Sequence, residues 1–272
     1  MALKKDSITN VITVALVVCF ACAIVVSGTA VSLKPQRAAN KEADRYKNIL
    51  EAAGLFEEGK TAPGQVQELF KQFTTRVVDL DEKRFLTDEE VAALGIDVAT
   101  YDQRKASKDP ALSRALSNEE DVASISRRAR YSVVYLLEDE DGLEKIVLPV
   151  HGYGLWSIMY GYLALQGDMN TVAGITFYEQ QETAGLGGEV DNPAWKASWQ
   201  GKEIYSNNHE VALRVIKGAV DPNSRDAEYH IDGLSGATLT SRGVENLIHY
   251  WLGDNGFGPM LKQLQTREVG AI

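Results

Sequence analysis

The stretch YSVVYLLEDEDGLEKIVLPV, Tyr131 to Val150, decides the fold class. Two runs rich in Val, Leu and Tyr flank Asp141-Gly142, a dipeptide suited to the tight turn of a β-hairpin. The pattern repeats at once. WSIMYGYLAL (156–165) and TVAGITFYEQ (171–180) flank Gly167-Asp168-Met169-Asn170 and predict a second hairpin. EVALRVIKGAV (210–220) is a fifth strand candidate. Parallel neighbours need long crossovers, so short turns imply antiparallel pairing. The expected class is α+β, with helices gathered at one side or end of an antiparallel sheet.

Upstream, TTRVVDLD (74–81) reads as a strand, after a short helix around Val66 to Phe73 that follows Ala62-Pro63-Gly64. Leu86 to Arg130 is charged and broken by Gly95 and Pro110, and reads as an irregular excursion with short helices. Downstream, DNPAWKASW (191–199) predicts a compact helix. Asn192 is its cap, Pro193 its first position, and Trp195 and Trp199 lie on one face, as core residues.

The chain has 272 residues, 44% apolar and 24% charged, with a net charge of −10. That balance excludes general nucleic-acid binding, which needs surplus Lys and Arg. Both cysteines, Cys19 and Cys22, fall in the first 30 residues, so neither disulfides nor thiolate-bound metal hold the main domain. His151, His209, His230 and His249 are scattered without ligand spacing, and no metal site is expected.

From Asp6 to Lys34 there is no charge, and Val11 to Val31 as a helix rises about 30 Å, the thickness of a bilayer core. A signal peptide has a shorter apolar stretch, so a retained anchor is expected. Lys4 and Lys5 precede it; Lys34, Arg37, Lys41, Arg45 and Lys47 follow it. Charge alone leaves the side of the large domain undecided. Cys19 and Cys22 share a face of this helix; packing of small residues against another helix explains them better than a metal or redox pair shared with a neighbouring subunit, since no other ligand type accompanies them. Arg37 to Leu55 reads as a second helix, stopping at Gly54. The resulting division is a short amino terminus (1–10), a transmembrane helix (11–33), a helical and irregular part (34–130) and a main domain (131–272).

Three glycine-rich clusters carry the candidate chemistry. In HGYGLWSIMYGY (151–162), Tyr153, Trp156 and Tyr160 can wall a flat ring, or form an aromatic sheet face with glycine bulges. In EQQETAGLGGEV (179–190), Gly185, Gly187 and Gly188 can bare backbone N–H groups. No G-x-G-x-x-G fingerprint is present, so a dinucleotide-binding fold is not indicated. DGLSGATLTS (232–241) precedes a helix whose apolar face is Val244, Leu247, Ile248, Trp251 and Leu252, ending near Gly253. A helix start needs one hydroxyl cap; this one offers four, among neighbours small enough to leave the Thr238 hydroxyl open. Its unpaired N–H groups form an anion site. Non-covalent capping and covalent phosphate attachment are both consistent with these residues.

Asp232-Gly233-Leu234-Ser235-Gly236-Ala237-Thr238 resembles the flavinylation motif of FMN-binding domains, whose final Thr carries FMN through a phosphoester. SLKPQRAANKEADRYKNIL (32–50), GYGLWSIMYGYLAL (152–165) and ETAGLGGEVDNPAWKASWQGK (182–202) extend the likeness to the C-subunit family of bacterial sodium-translocating NADH:quinone reductases, over essentially the whole chain. The resemblance implies an inner-membrane protein with one span and a periplasmic FMN-binding domain. Thr238 is the implied attachment site. Ser235, Gly236 and Ala237 would form the phosphate loop, and Asp232 would be read by the flavin transferase. Trp156, Glu182, Thr183, Gly185, Leu186 and Gly187 would line the flavin, with Ala184 where proline is expected. Covalent FMN would relay electrons within a multi-subunit complex that oxidises NADH, reduces ubiquinone and moves Na+ outward. The implied partners are the other subunits, the transferase and membrane lipid, and the chain has no NADH site of its own. The G-subunit family of Rnf-type ferredoxin:NAD complexes, which shares the motif, and a membrane-tethered flavin-binding or assembly module are the alternatives. A Ser or Thr hydrolase lacks the G-x-S-x-G context.

Overall fold

The computed structural model describes residues 7–140 and 142–267. Asp141 of the first turn and Lys4, Lys5 and Asp6 lie outside the described residues. The chain divides into two compact units, one running through Arg45 and the other from Tyr46 onward.

In the first unit, α1 (Ile8–Ser32) has 25 residues, a little longer than the apolar run predicts, and is long and apolar enough to cross a membrane. Three of its hydroxyls, those of Thr13, Thr29 and Ser32, return to the helix's own backbone, which suits a hydrocarbon environment. Thr13 Oγ1 donates to the Thr9 carbonyl at 2.8 Å and Thr29 Oγ1 to Val25 at 2.7 Å. Cys19 and Cys22 are free and exposed on it. Next comes α2 (Lys34–Ala52), whose last turns bury Ile49, Leu50 and Ala52; the Leu55 amide donates back to the Leu50 carbonyl at 2.8 Å, closing the helix at the expected Gly54.

The second unit is built on a six-stranded antiparallel sheet, in the order β2-β1-β5-β6-β7-β8. Its strands are β1 (Phe73–Asp79), β2 (Arg84–Phe85), β5 (Tyr131–Asp139), β6 (Gly142–Tyr153), β7 (Ile158–Gln166) and β8 (Val172–Glu179). Both expected hairpins are present, β5–β6 and β7–β8, and β6 and β7 pair as well. The predicted helix at Val66 to Phe73 lies earlier, as α3 (Pro63–Phe70), because Pro63 suits a first turn and Phe73 pairs with Leu137 to open β1. The excursion holds α4 (Asp88–Ala93), α5 (Gln103–Ala106) and an unexpected small ribbon, β3 (Ser113–Ala115) with β4 (Arg127–Ala129).

Helices cover both faces of the sheet, not one. Along β5, Val134 and Leu136 join the core cluster that includes Trp195, Val244 and Trp251, while Val133, Tyr135 and Leu137 join the cluster that includes Ile49, Leu50 and Val66. Two buried faces explain why YSVVYLL is continuously apolar instead of alternating. The expected fifth strand, 210–220, shrinks to β9 (Arg214–Val215). It pairs in parallel with β10 (His230–Ile231), apart from the main sheet. The 3-10 turn Gly187–Asp191 leads into α6 (Pro193–Ala197), capped by Asn192 Oδ1 on the Ala194 amide at 2.9 Å. Trp195 and Trp199 meet edge to face at 5.5 Å in the core.

The chain closes with α7 (Thr238–Leu252) and α8 (Gly258–Arg267). Helix α7 lies on the end of β6 at very short range, because glycine faces glycine. A Cβ on Gly243 would stand 2.5 Å from the Tyr153 carbonyl oxygen and 2.9 Å from Gly154 Cα. Further along, Trp251 Nε1 donates to the His151 carbonyl at 2.6 Å, and the rings of Trp251 and His151 are 4.8 Å apart. Burial, with a smaller contribution from the Arg104 charge, lowers the His151 imidazole to about 3.

Gly243→Ala forces backbone against backbone, so it is expected to cost about 1–3 kcal/mol and to lower the thermal midpoint; an unchanged midpoint would refute the close seam. His151 makes acid destabilising: below its ordinary value of 6.5 the unfolded chain takes up a proton that the folded chain refuses. Stability therefore falls as pH drops from 6.5 toward 3, by up to about 1.4 kcal/mol per pH unit. Urea midpoints at pH 7 and pH 5 should differ less in His151→Phe than in the wild type.

Candidate functional site

The three glycine clusters converge on the first turn of α7, and one buried carboxylate holds them together. Glu182 Oε1 accepts the backbone amides of Leu155 and Trp156, both at 3.0 Å, at the tip between β6 and β7. Its Oε2 accepts the Thr240 hydroxyl at 2.6 Å, on α7. Glu182 thus faces inward and uses both oxygens on the protein. The Gln180 side chain turns the loop in, since Gln180 Oε1 accepts the Glu182 amide at 2.6 Å. Gly187 makes room: a Cβ there would stand 2.5 Å from Thr240 Oγ1.

The four hydroxyls of DGLSGATLTS divide into two pairs. Thr240 is buried on Glu182, and Ser241 Oγ accepts the Leu234 amide at 3.0 Å, also buried. Ser235 and Thr238 are exposed. Thr238 is the first residue of α7, and the residue in the capping position, Ala237, supplies no side-chain bond. The hydroxyls therefore do not cap the helix in the ordinary way, and its first-turn N–H groups have no partner from the capping residue's side chain. Gly236, at φ +71°, makes the left-handed bend that brings the chain into α7, and a Cβ on it would stand 2.9 Å from Leu186 Cδ2.

Around this opening stand exposed apolar side chains from all three clusters. Trp156 is 63% exposed and Leu239 53%, with Tyr153, Leu155 and Leu186 also exposed. Trp156 Nε1 donates to Thr183 Oγ1 at 3.2 Å, which fixes the indole to the glycine loop. Tyr153 Oη reaches the Trp156 carbonyl at 3.4 Å. Gly185, at φ +75°, turns the loop outward through Ala184 and Leu186, both exposed.

Three expected site groups are engaged elsewhere. Tyr160 lies between the Arg104 guanidinium, 3.7 Å from its ring centre, and His151 at 5.3 Å, so it is packed. Gly188 does not bare its amide, which donates to the Thr183 carbonyl at 2.9 Å. Asp232 Oδ1 accepts the Val220 amide at 2.7 Å, and its carbonyl accepts Trp195 Nε1 at 2.8 Å. It braces the motif against the neighbouring loop. Sequence reasoning missed the Glu182–Thr240 tether. A carboxylate in a glycine loop and a second threonine two residues past Thr238 were the available signals.

The family described as FMN-binding domain matches residues 154–253, which spans all three clusters apart from the first residues of the first one. The C subunit of the Na(+)-translocating NADH-quinone reductase of Pseudomonas aeruginosa is 51% identical over 98% of this chain and 99% of its own length. The corresponding protein of Vibrio alginolyticus is 45% identical over 99% of this chain and 100% of its own. The crystal structure of Shewanella oneidensis NqrC is similar at a TM-score of 0.73 and 31% identity, covering 84% of this chain and 99% of that one.

Thr240→Val keeps the shape of the side chain but leaves Glu182 Oε2 buried without its donor. The expected loss is about 1–3 kcal/mol. In a double-mutant cycle with Glu182→Gln, urea unfolding should give a coupling above about 0.5 kcal/mol; additive losses would remove the tether from the account.

Proposed function

The chain belongs to the C-subunit family of Na(+)-translocating NADH-quinone reductases, and from that premise we propose that it is the covalent-FMN electron carrier of such a complex, with the FMN phosphate esterified to Thr238. One observation carries this reading. Of the four hydroxyls at the start of α7, Thr238 stands exposed at the first helical position beside a rim of exposed apolar side chains, while Thr240 and Ser241 are consumed inside. A plain helix start has no use for an open hydroxyl beside an apolar rim.

The residues present fit the group. First-turn N–H groups without a side-chain cap and the positive end of the α7 dipole suit a phosphodiester. Leu186, Leu239, Tyr153 and Trp156 offer apolar and aromatic surface for a flat ring. Gly236 keeps the approach clear: its φ of +71° favours glycine, and a Cβ there would push the Leu186 side chain aside. When bound, FMN supplies the capacity to take up and pass on electrons, which no side chain here possesses. The protein's part is to hold and orient. Thr183 fixes the Trp156 indole, Asp232 fixes the loop ahead of Thr238, and Glu182 locks helix, loop and hairpin tip in one arrangement.

Electrons would come from and go to the other subunits, since the sequence has no dinucleotide fingerprint of its own. Helix α1 would anchor the chain in the bacterial inner membrane, with the large domain in the periplasm, where a flavin transferase completes it. A covalent link suits that compartment, because a carrier lost outside the membrane could not be recovered. Near-complete coverage of the relatives from sodium-translocating reductases favours that complex over the ferredoxin:NAD complexes.

The full chain co-expressed with a flavin transferase should gain the mass of FMN less one water and retain flavin fluorescence after denaturation. Thr238→Val should lose both, whereas Thr240→Val should keep them at reduced stability. Covalent flavin persisting in Thr238→Val would refute the assignment.

A further inference from the structure

The first turn of α7 supplies N–H groups to an anion but no full charge, and the motif itself contains no Lys or Arg. One cation stands a single turn further on. Arg242 is four residues after Thr238, inside the same helix. Positions i and i+4 of a helix are neighbours, about 5–6 Å apart at Cβ. Helical side chains also lean toward the amino end, so the side chain at 242 covers the turn that contains residue 238.

Arg242 is exposed, and among the described residues it pairs with no carboxylate. The reason is visible in the structure. Glu245, three residues on, is the acid within helical reach, and it is already taken. Its Oε1 accepts Arg214 Nη1 at 2.9 Å and its Oε2 accepts the Val215 amide at 2.9 Å. Several arginines of this domain are matched, Arg76 with Asp88, Arg84 with Glu82 and Glu90, Arg104 with Glu179, whereas the exposed Arg225, well ahead of the helix start, has no carboxylate partner among the described residues. What sets Arg242 apart is its place: an unmatched guanidinium one turn from an anion-accepting helix start, in a chain of net charge −10.

We propose that Arg242 is the counter-cation of the phosphodiester at Thr238, closing over it from the second turn of α7 while the first-turn N–H groups hold it from below. This rests on the reading of Thr238 as the attachment site. A guanidinium presents a fork of donors that matches two phosphate oxygens, which a point charge does not. The pair is solvent-facing, so its closed form outweighs the open one only about 1.5- to 5-fold at ordinary ionic strength. Arg242 therefore restrains the linkage without being required to form it.

The test uses the full chain in detergent, loaded by the transferase, as wild type, Arg242→Gln and Arg242→Lys. Intact mass reports attachment, and the 31P resonance of the phosphodiester in the folded protein reports its surroundings. The expected result is a mass gain in all three, a displaced resonance in Arg242→Gln, and an intermediate one in Arg242→Lys. NaCl at about 1 M, where screening acts over about 3 Å, should move the wild-type resonance toward the Arg242→Gln position and leave that variant unmoved. Arg242→Gln matching the wild type in resonance and salt response, with mass gained in both, would overturn the role of Arg242 alone. A wild-type chain without the mass gain would overturn the attachment reading and this proposal together.

Discussion

The site depends on one buried carboxylate. Glu182 reaches the hairpin tip through two amides and the last long helix through one hydroxyl. Those three contacts join segments about 30 and about 60 residues away in sequence. A buried carboxyl group is costly unless it is hydrogen-bonded, and here Oε1 has two donors and Oε2 has one. The arrangement is consequently all-or-none: if the helix end lifts, the carboxylate loses the Thr240 hydroxyl. The same contact lets the surroundings of Thr238 stay open without becoming floppy. Rigidity comes from below, so the upper surface can be given over to a ligand.

Close packing completes that logic. Glycine meets glycine where α7 crosses β6, and the Trp251 indole is pinned to the His151 carbonyl at the other end of the seam. The helix is held along its length against the sheet, so its amino end points to a fixed place. The exposed apolar rim is a standing cost in water, and it is concentrated where three clusters meet. Large apolar side chains left exposed together mark a binding surface more often than an accident of folding.

Much of this was legible in the residues. The Val-, Leu- and Tyr-rich runs around Asp141-Gly142 and Gly167 to Asn170 gave both hairpins, and the spacing Val244, Leu247, Ile248, Trp251 gave α7. Period and turn chemistry are local, so a sequence displays them. Burial on both sheet faces is written in the unbroken apolar run YSVVYLL, but which segments cover each face is not, since those contacts come from residues distant in sequence. The run 210–220 misled because its alternation suits a strand, yet only Arg214 and Val215 find a partner edge. Of the candidate site, the open hydroxyl of Thr238 and the exposed aromatic surface of Trp156 were readable. The inward turn of Glu182, the packed state of Tyr160 and the bracing by Asp232 were not, since each is fixed by a residue distant in sequence.

The order of strands in the sheet bears on how the protein is made. From β5 to β8 each strand pairs with its successor across a short turn, so this part can assemble as it emerges, with little chain entropy lost per closure. Strand β1 must wait some fifty residues for β5, and Thr240 arrives about sixty residues after Glu182. The glycine seam joins segments far apart in sequence, and the surroundings of Thr238 exist only where it is closed. A chain cut short before α7 would carry a nearly complete sheet yet lack the helix start on which the three glycine clusters converge, so the site is a report on the completeness of the whole domain.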